Sequence, residues 1–164
     1  MDIVPIFTEE IMEPLFWVLE QNRDIMQHPL YHPEGDVFGH SLQALQLAFR
    51  ETNDTDLILA AMLHDVGKAG HKLGHDKVAI DLLDCHCSAK TLWLIENHMR
   101  IWYFLSGEMR KLSKVKELIE HPFLPELIHL ARIDKSARNP NRKIKYDKQN
   151  IIDRLNQCIE RRWS

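Results

Sequence analysis

The chain has 164 residues, 45% of them hydrophobic and 27% charged, with a formal net charge of −3. That length lets one domain bury a core without disulfide support, and the charge balance gives no overall pull towards nucleic acid or an anionic membrane. No apolar run approaches the roughly 20 residues that span a bilayer, and three cysteines without an apolar leader predict a protein of the reducing cytoplasm. Leu and Ile recur at helical spacing, and no alternating strand pattern persists. The pattern predicts an all-α bundle of about seven or eight helices, a single domain over residues 1–164. In chain order, a first helix is expected over 8–21, with Pro14 near its first turns or kinking it. Residues 28–35, HPLYHPEG, form a turn-rich connection, and Asp36 suits the N-cap of a helix running to Arg50. Asn53 and Asp54 open the next helix, which is expected to end near Val66 with Gly67 and Gly70 as stop signals. Further helices fit 75–85, 88–105, 108–120, 124–137 and 147–162. The last carries the stripe Ile151, Ile152, Leu155 and Ile159, which is expected to pack on the bundle. The joins are short, which favours one compact unit.

The chemistry concentrates at residues 63–70, LHDVGKAG. The preceding segment 57–63, LILAAML, is apolar on every side and predicts a helix in the middle of the bundle. His64 and Asp65 therefore stand where a core helix ends, and burying such groups costs several kcal/mol unless something satisfies them. Either His64 sits at the negative end of the helix dipole with Asp65 in water, or the pair closes on a metal ion. Other helices point to the second alternative. His40 shares a face with Val37, Ala44 and Leu47, while Asp134 follows Leu127, Leu130 and Ala131 on an apolar stripe. His98 shares a face with Leu94, Ile101 and Leu105, leaving Glu96, Asn97 and Arg100 to point elsewhere. Histidine is the commonest metal ligand, and the chain has ten. Asp54-Thr55-Asp56 is explained as a cap and first turn, and Cys85-His86-Cys87 falls short of a four-ligand zinc site. The basic run over 135–145 is expected to be a solvated face.

His40, His64-Asp65 and Asp134, each on its own helix, resemble the HD superfamily of metal-dependent phosphohydrolases. The likeness takes in LHDVGK, GH at 74–75, ENH at 96–98 and ARID at 131–134, and runs over about residues 28–140. The stretch HPEGDVFGH at 32–40 is similar to the HD domain of bacterial CCA-adding tRNA nucleotidyltransferases. Their Gly-Ser motif and paired-Asp strand have no counterpart in this sequence, so CCA polymerisation is not expected. The resemblance implies an ion held by His40, His64, Asp65 and Asp134. Those donors suit Mn, Fe, Co, Ni or Zn better than an all-oxygen Mg site, with Mg still possible.

The implied reaction is hydrolysis of a nucleotide-like phosphomonoester or phosphodiester, 2′,3′-cyclic nucleotides included, by a hydroxide formed on the ion. Asp65 and Lys68 are the residues implied in catalysis. Lys68 either holds a phosphate oxygen or is a surface lysine at a helix C-terminus. His75 and His98 are then left over. Together they would make a second site bridged by Asp65, giving two ions rather than one. Otherwise His98 bonds within the core and His75 caps its helix. His71 is expected in solvent, and Arg100 and Arg138 as surface charges. The expected partner is a small phosphorylated substrate and not a membrane, and net charge gives no indication of RNA. The competing reading keeps the fold as a nucleotide- or RNA-binding module, with its metal structural or absent.

Overall fold

A computed structural model of the chain describes residues 6–68, 81 and 83–163. Among them are eight helices and no strand: α1 (Glu9–Glu20), α2 (Val37–Glu51), α3 (Thr55–Leu63), α4 (Ala89–Asn97), α5 (Arg100–Leu105), α6 (Leu112–Ile119), α7 (Leu124–Ser136) and α8 (Lys148–Trp163). An isolated antiparallel bridge joins Met26 to Asp36.

The middle of the bundle is α3. All seven residues from Leu57 to Leu63 are buried, because a helix apolar all round has no face to offer water. It packs against α2, α4 and α7, the helices that also carry or lead to the candidate ligands. Truncating a buried Leu or Met in such a position costs about 2–5 kcal/mol, so α3 acts as a stiff frame. Its start is fixed by Asp54, whose carboxylate accepts from the amides of Asp56 (3.0 Å) and Leu57 (3.4 Å). Asp56 in turn accepts from Ser88 Oγ at 2.5 Å and Thr91 Oγ1 at 3.1 Å, tying the starts of α3 and α4 together. The acidic pair at 54 and 56 is thus the cap and first turn that the sequence predicts, and Asp56 adds a brace between two helix starts.

Asp36 caps α2 by accepting from Gly39 N at 2.8 Å, and its other oxygen accepts from Asp24 N at 2.8 Å. One carboxylate therefore sets both the start of α2 and the path of the connection before it. The outer layer pairs α1 with α8. Ile151, Ile152 and Leu155 are buried there, and Asn156 exchanges two 2.9 Å hydrogen bonds with the backbone of Phe7.

Three expectations are corrected. The helix over 88–105 is two helices, because His98 ends α4. Its ring N–H donates to Ile95 O at 2.6 Å, competing with the longer backbone bond from its own amide at 3.4 Å. The break turns the residues beyond it onto a different face: Leu105 is 50% exposed, while Asn97 is buried and donates to Trp93 O at 2.8 Å. The helix expected over 108–120 starts only at Leu112, beyond Gly107, which takes a φ of 77°. The central helix stops at Leu63, and residues 64–66 form a turn. Most of the helix expected over 75–85 falls outside the described residues, and Gly70, His71 and His75 lie outside them too.

Candidate metal centre

Four side chains meet where α2, the end of α3 and the last turn of α7 converge. His40, His64, Asp65 and Asp134 are all buried, and one donor atom from each lies within 4.8 Å of the others. His40 Nε2 is 3.2 Å from His64 Nε2 and 2.9 Å from Asp134 Oδ1. Asp65 Oδ2 is 3.5 Å from His40 Nε2 and 3.3 Å from His64 Nε2, and Asp134 Oδ1 is 3.4 Å from His64 Nε2.

The second nitrogen of each ring explains the first. His40 Nδ1–H donates to Ala137 O at 2.8 Å, and His64 Nδ1–H donates to Ala61 O at 2.8 Å. With Nδ1 committed as donor, a neutral imidazole presents a bare lone pair at Nε2. Two lone pairs 3.2 Å apart, facing two carboxylate oxygens, repel unless a cation lies among them. Either protons or a metal ion must supply that charge.

The separations fit an ion. Donors about 2.0–2.2 Å from a common centre lie roughly 3–3.5 Å from one another, and those measured run from 2.9 to 3.5 Å. Imidazole anchored through its far nitrogen is also how proteins orient a metal ligand. The residues therefore fit a divalent ion.

Electrostatics shows the same demand from the other side. Burial works to lower the pKa of His40, but its bonds to Asp134 and Glu34 outweigh it, leaving the pKa above the ordinary value. For His64 burial is again the opposing influence, and the charges of Asp65 and Asp134 raise its pKa well above the usual imidazole range. Burial would raise the Asp65 carboxyl, and the charge and hydrogen bond of His64 instead hold it well below. Asp134 is likewise lowered against burial by His64 and His40. Without an ion, the cluster keeps its protons on nitrogen.

Lys68 lies beside this cluster. Its Nζ donates to Asp65 Oδ2 at 3.1 Å and to Gln27 Oε1. His98 comes to the opposite oxygen, with Nε2 3.4 Å from Asp65 Oδ1. Asp65 is thus addressed on both oxygens, although His98 also bonds to Ile95 within its own helix. Arg138 Nη2 stands 3.6 Å from Asp134 Oδ1, while its Nε and Nη1 donate to Asp134 O and Tyr31 O. Arg100 Nη1 instead donates to Asn97 Oδ1 at 3.0 Å.

Sequence reasoning passed over Glu34, His32 and Gln27. The Glu34 side chain is fully buried, with Oε1 accepting from His32 Nδ1 at 2.8 Å and lying 3.1 Å from His40 Nδ1, whose N–H donates to Ala137 O. Gly35 comes next with a φ of 113°, a conformation that favours glycine and reverses the chain just after that carboxylate. Nothing periodic marks an inward residue in a turn. The run HPEGDVFGH is the signal that could have found it.

The chain matches the HD domain model over residues 37–139. A multifunctional CCA protein of Thioalkalivibrio sulfidiphilus is 35% identical over 81 residues, 44% of this chain and 20% of the relative. One of Methylococcus capsulatus is 33% identical over 84 residues, 46% of this chain and 20% of the relative. One of Halorhodospira halophila is 36% identical over 64 residues, 35% of this chain and 15% of the relative. The chain thus spans a fifth or less of the length of these curated relatives. The HD domain match covers more than half of the chain, carries His40, His64, Asp65 and Asp134 within it, and makes the protein a member of the HD domain family.

Proposed function

We propose that the protein is a metal-dependent phosphohydrolase acting on a nucleotide-like phosphomonoester or phosphodiester. The observation that carries this reading is the convergence of two Nε2 atoms and two carboxylate oxygens at 2.9–3.5 Å, with both Nδ1 atoms already committed. His40, His64, Asp65 and Asp134 would hold a divalent ion there, whose chemistry would be charge neutralisation at a phosphoryl oxygen and a more acidic water.

The chain's own groups do the rest. Asp65 directs Oδ2 into the cluster and Oδ1 towards His98. Lys68, held by Asp65 and Gln27, receives a phosphate oxygen of the substrate. His98, 3.4 Å from Asp65 Oδ1, would with Asp65 hold a second ion, and the sequence suggests His75, outside the described residues, as its further ligand. The likeness to multifunctional CCA proteins supports a nucleotide-like substrate.

The test is hydrolysis across mono-, di- and cyclic esters by chelated protein, before and after addition of Mn, Co or Ni. Activity is expected to be lost on chelation and restored by metal in the parent, and not restored in Asp65→Ala. No turnover with any metal would refute the enzyme and leave the nucleotide-binding module.

A further inference from the structure

The cluster opens into a cleft of about 390 Å³, within the range of small-ligand sites. Its walls are chemically unlike. Asp65 and Asp134 form the ionic part, and Lys68, Lys135 and Arg138 bring three cationic side chains to it. The rest of the lining is the His32 imidazole and an apolar wall formed by Met99 and Trp102. They are three residues apart at the start of α5 and so share one side of that short helix.

This apolar wall is unusual in its setting. Met99 is 52% exposed although it borders a group of buried charges. Trp102 is half-buried, packed against the core on one side while lining the cleft. A large ring fixed by packing costs little entropy when a ligand stacks on it. A thioether beside it adapts to the outline of what it touches.

We infer that Met99 and Trp102 form the platform for the base of a nucleotide whose phosphate lies at the cluster. This rests on the phosphate-ester reading above and narrows it. A sugar phosphate or a simple phosphate would satisfy the cationic groups and leave the apolar wall bare. A nucleotide satisfies both, because it carries an anion and a flat apolar ring on one short frame. Met99 and Trp102 are therefore specificity-determining residues that act through binding.

Calorimetric titration of manganese-loaded protein tests this with hydrolysis-resistant probes: the phosphonate analogue of adenosine 5′-monophosphate, the matching ribose phosphonate, and inorganic phosphate. The nucleotide analogue is expected to bind roughly 5- to 100-fold tighter than the ribose analogue, the range that stacking under a base supplies. That gap should collapse in Trp102→Ala, persist in Trp102→Phe and narrow in Met99→Ala, with phosphate affinity changed less than about two-fold. Met99→Ala removes a half-exposed side chain, so it keeps the test open if Trp102→Ala does not fold. Equal affinity of the two analogues in the parent overturns the platform, as does a gap unchanged in both alanine variants. Hydrolysis without the gap defeats the platform alone. The gap without hydrolysis of any ester defeats the enzyme reading and leaves the platform standing.

Discussion

Two regions of this protein are written in residues that bind metals, and they behave in opposite ways. The His40–His64–Asp65–Asp134 cluster draws its members from distant parts of the chain and buries all four. The Cys85-His86-Cys87 turn places three such residues in a row, yet Cys85 and His86 are exposed. Burial and the nearby charge of Asp56 push the Cys87 thiol up to about 12, away from the thiolate form that a metal needs. Proximity in sequence is therefore a poor guide to a metal site. What distinguishes the cluster is that each imidazole is held through its second nitrogen, so its free lone pair has only one place to point.

The largest effect that would break this contrast is loss of metal at the cluster. Asp134→Ala should remove stoichiometric retention of Mn or Co and abolish metal-dependent hydrolysis. In the metal-free protein the loss of stability should be smaller than for the loaded one, because the carboxylate then has only protonated imidazoles to balance. Metal analysis beside thermal melts of both forms would check it. Full activity of the variant at limiting metal would remove Asp134 from the site.

A second effect is the response of the chelated protein to pH. His40 and His64 have pKa values raised from 6.5 in the folded state, and a raised imidazole stabilises fully below its unfolded value. That contribution is lost as pH rises through the folded-state pKa. Asp65 and Asp134 are lowered from 3.8, so their contribution is complete above that value and is lost as pH falls. The contributions coincide between about pH 4 and 6.5. Thermal midpoints of the chelated protein should peak there and fall towards pH 8 by on the order of a few degrees. Metal should protect the alkaline side, since the ion takes the place of the protons. A chelated midpoint still rising at pH 8 would contradict the proposed charge balance.

A smaller effect sharpens the role of the far nitrogens. Glu34→Ala removes the carboxylate beside His40 Nδ1, and a lost supporting bond of this kind typically lowers metal affinity by about 10- to 100-fold. Glu34→Gln, which keeps an acceptor oxygen, should fall between the variant and the parent in a competition titration against a chelating dye. Equal affinities of parent and Glu34→Ala would leave Ala137 O as the sole orienting group. The smallest effect belongs to the other region. Cys85→Ser with Cys87→Ser should leave metal stoichiometry unchanged, and a lost equivalent of metal would reverse the comparison.

Much of the fold was legible because helical period and capping are local. Val37, Ala44 and Leu47 marked the inward face that carries His40, and Leu127, Leu130 and Ala131 did the same for Asp134. Asp36 and Asp54 announced the starts of α2 and α3. The break after Asn97 was not legible, because the His98 ring competes with its own amide for one carbonyl, and that competition leaves no trace in periodicity. Glu34 and Gln27 were missed for a related reason. Both lie in the non-helical stretch between α1 and α2, where no repeating pattern distinguishes an inward side chain from a solvated one.

The spacing of the cluster along the chain has a topological consequence. His40 and His64 are 24 residues apart, and His40 and Asp134 are 94 apart. An ion gripping all of them is a tie point that closes one short and one long loop of the polypeptide. Most of the closure entropy is lost in drawing the first contacts together, and it grows only slowly with loop length. The tie therefore encloses most of α2 and everything from α3 to the last turn of α7, while leaving α1 and α8 outside the closed portion. Under mechanical pulling from the two ends, the outer pair of helices would peel first, and the metal would define the length of chain that refuses to extend.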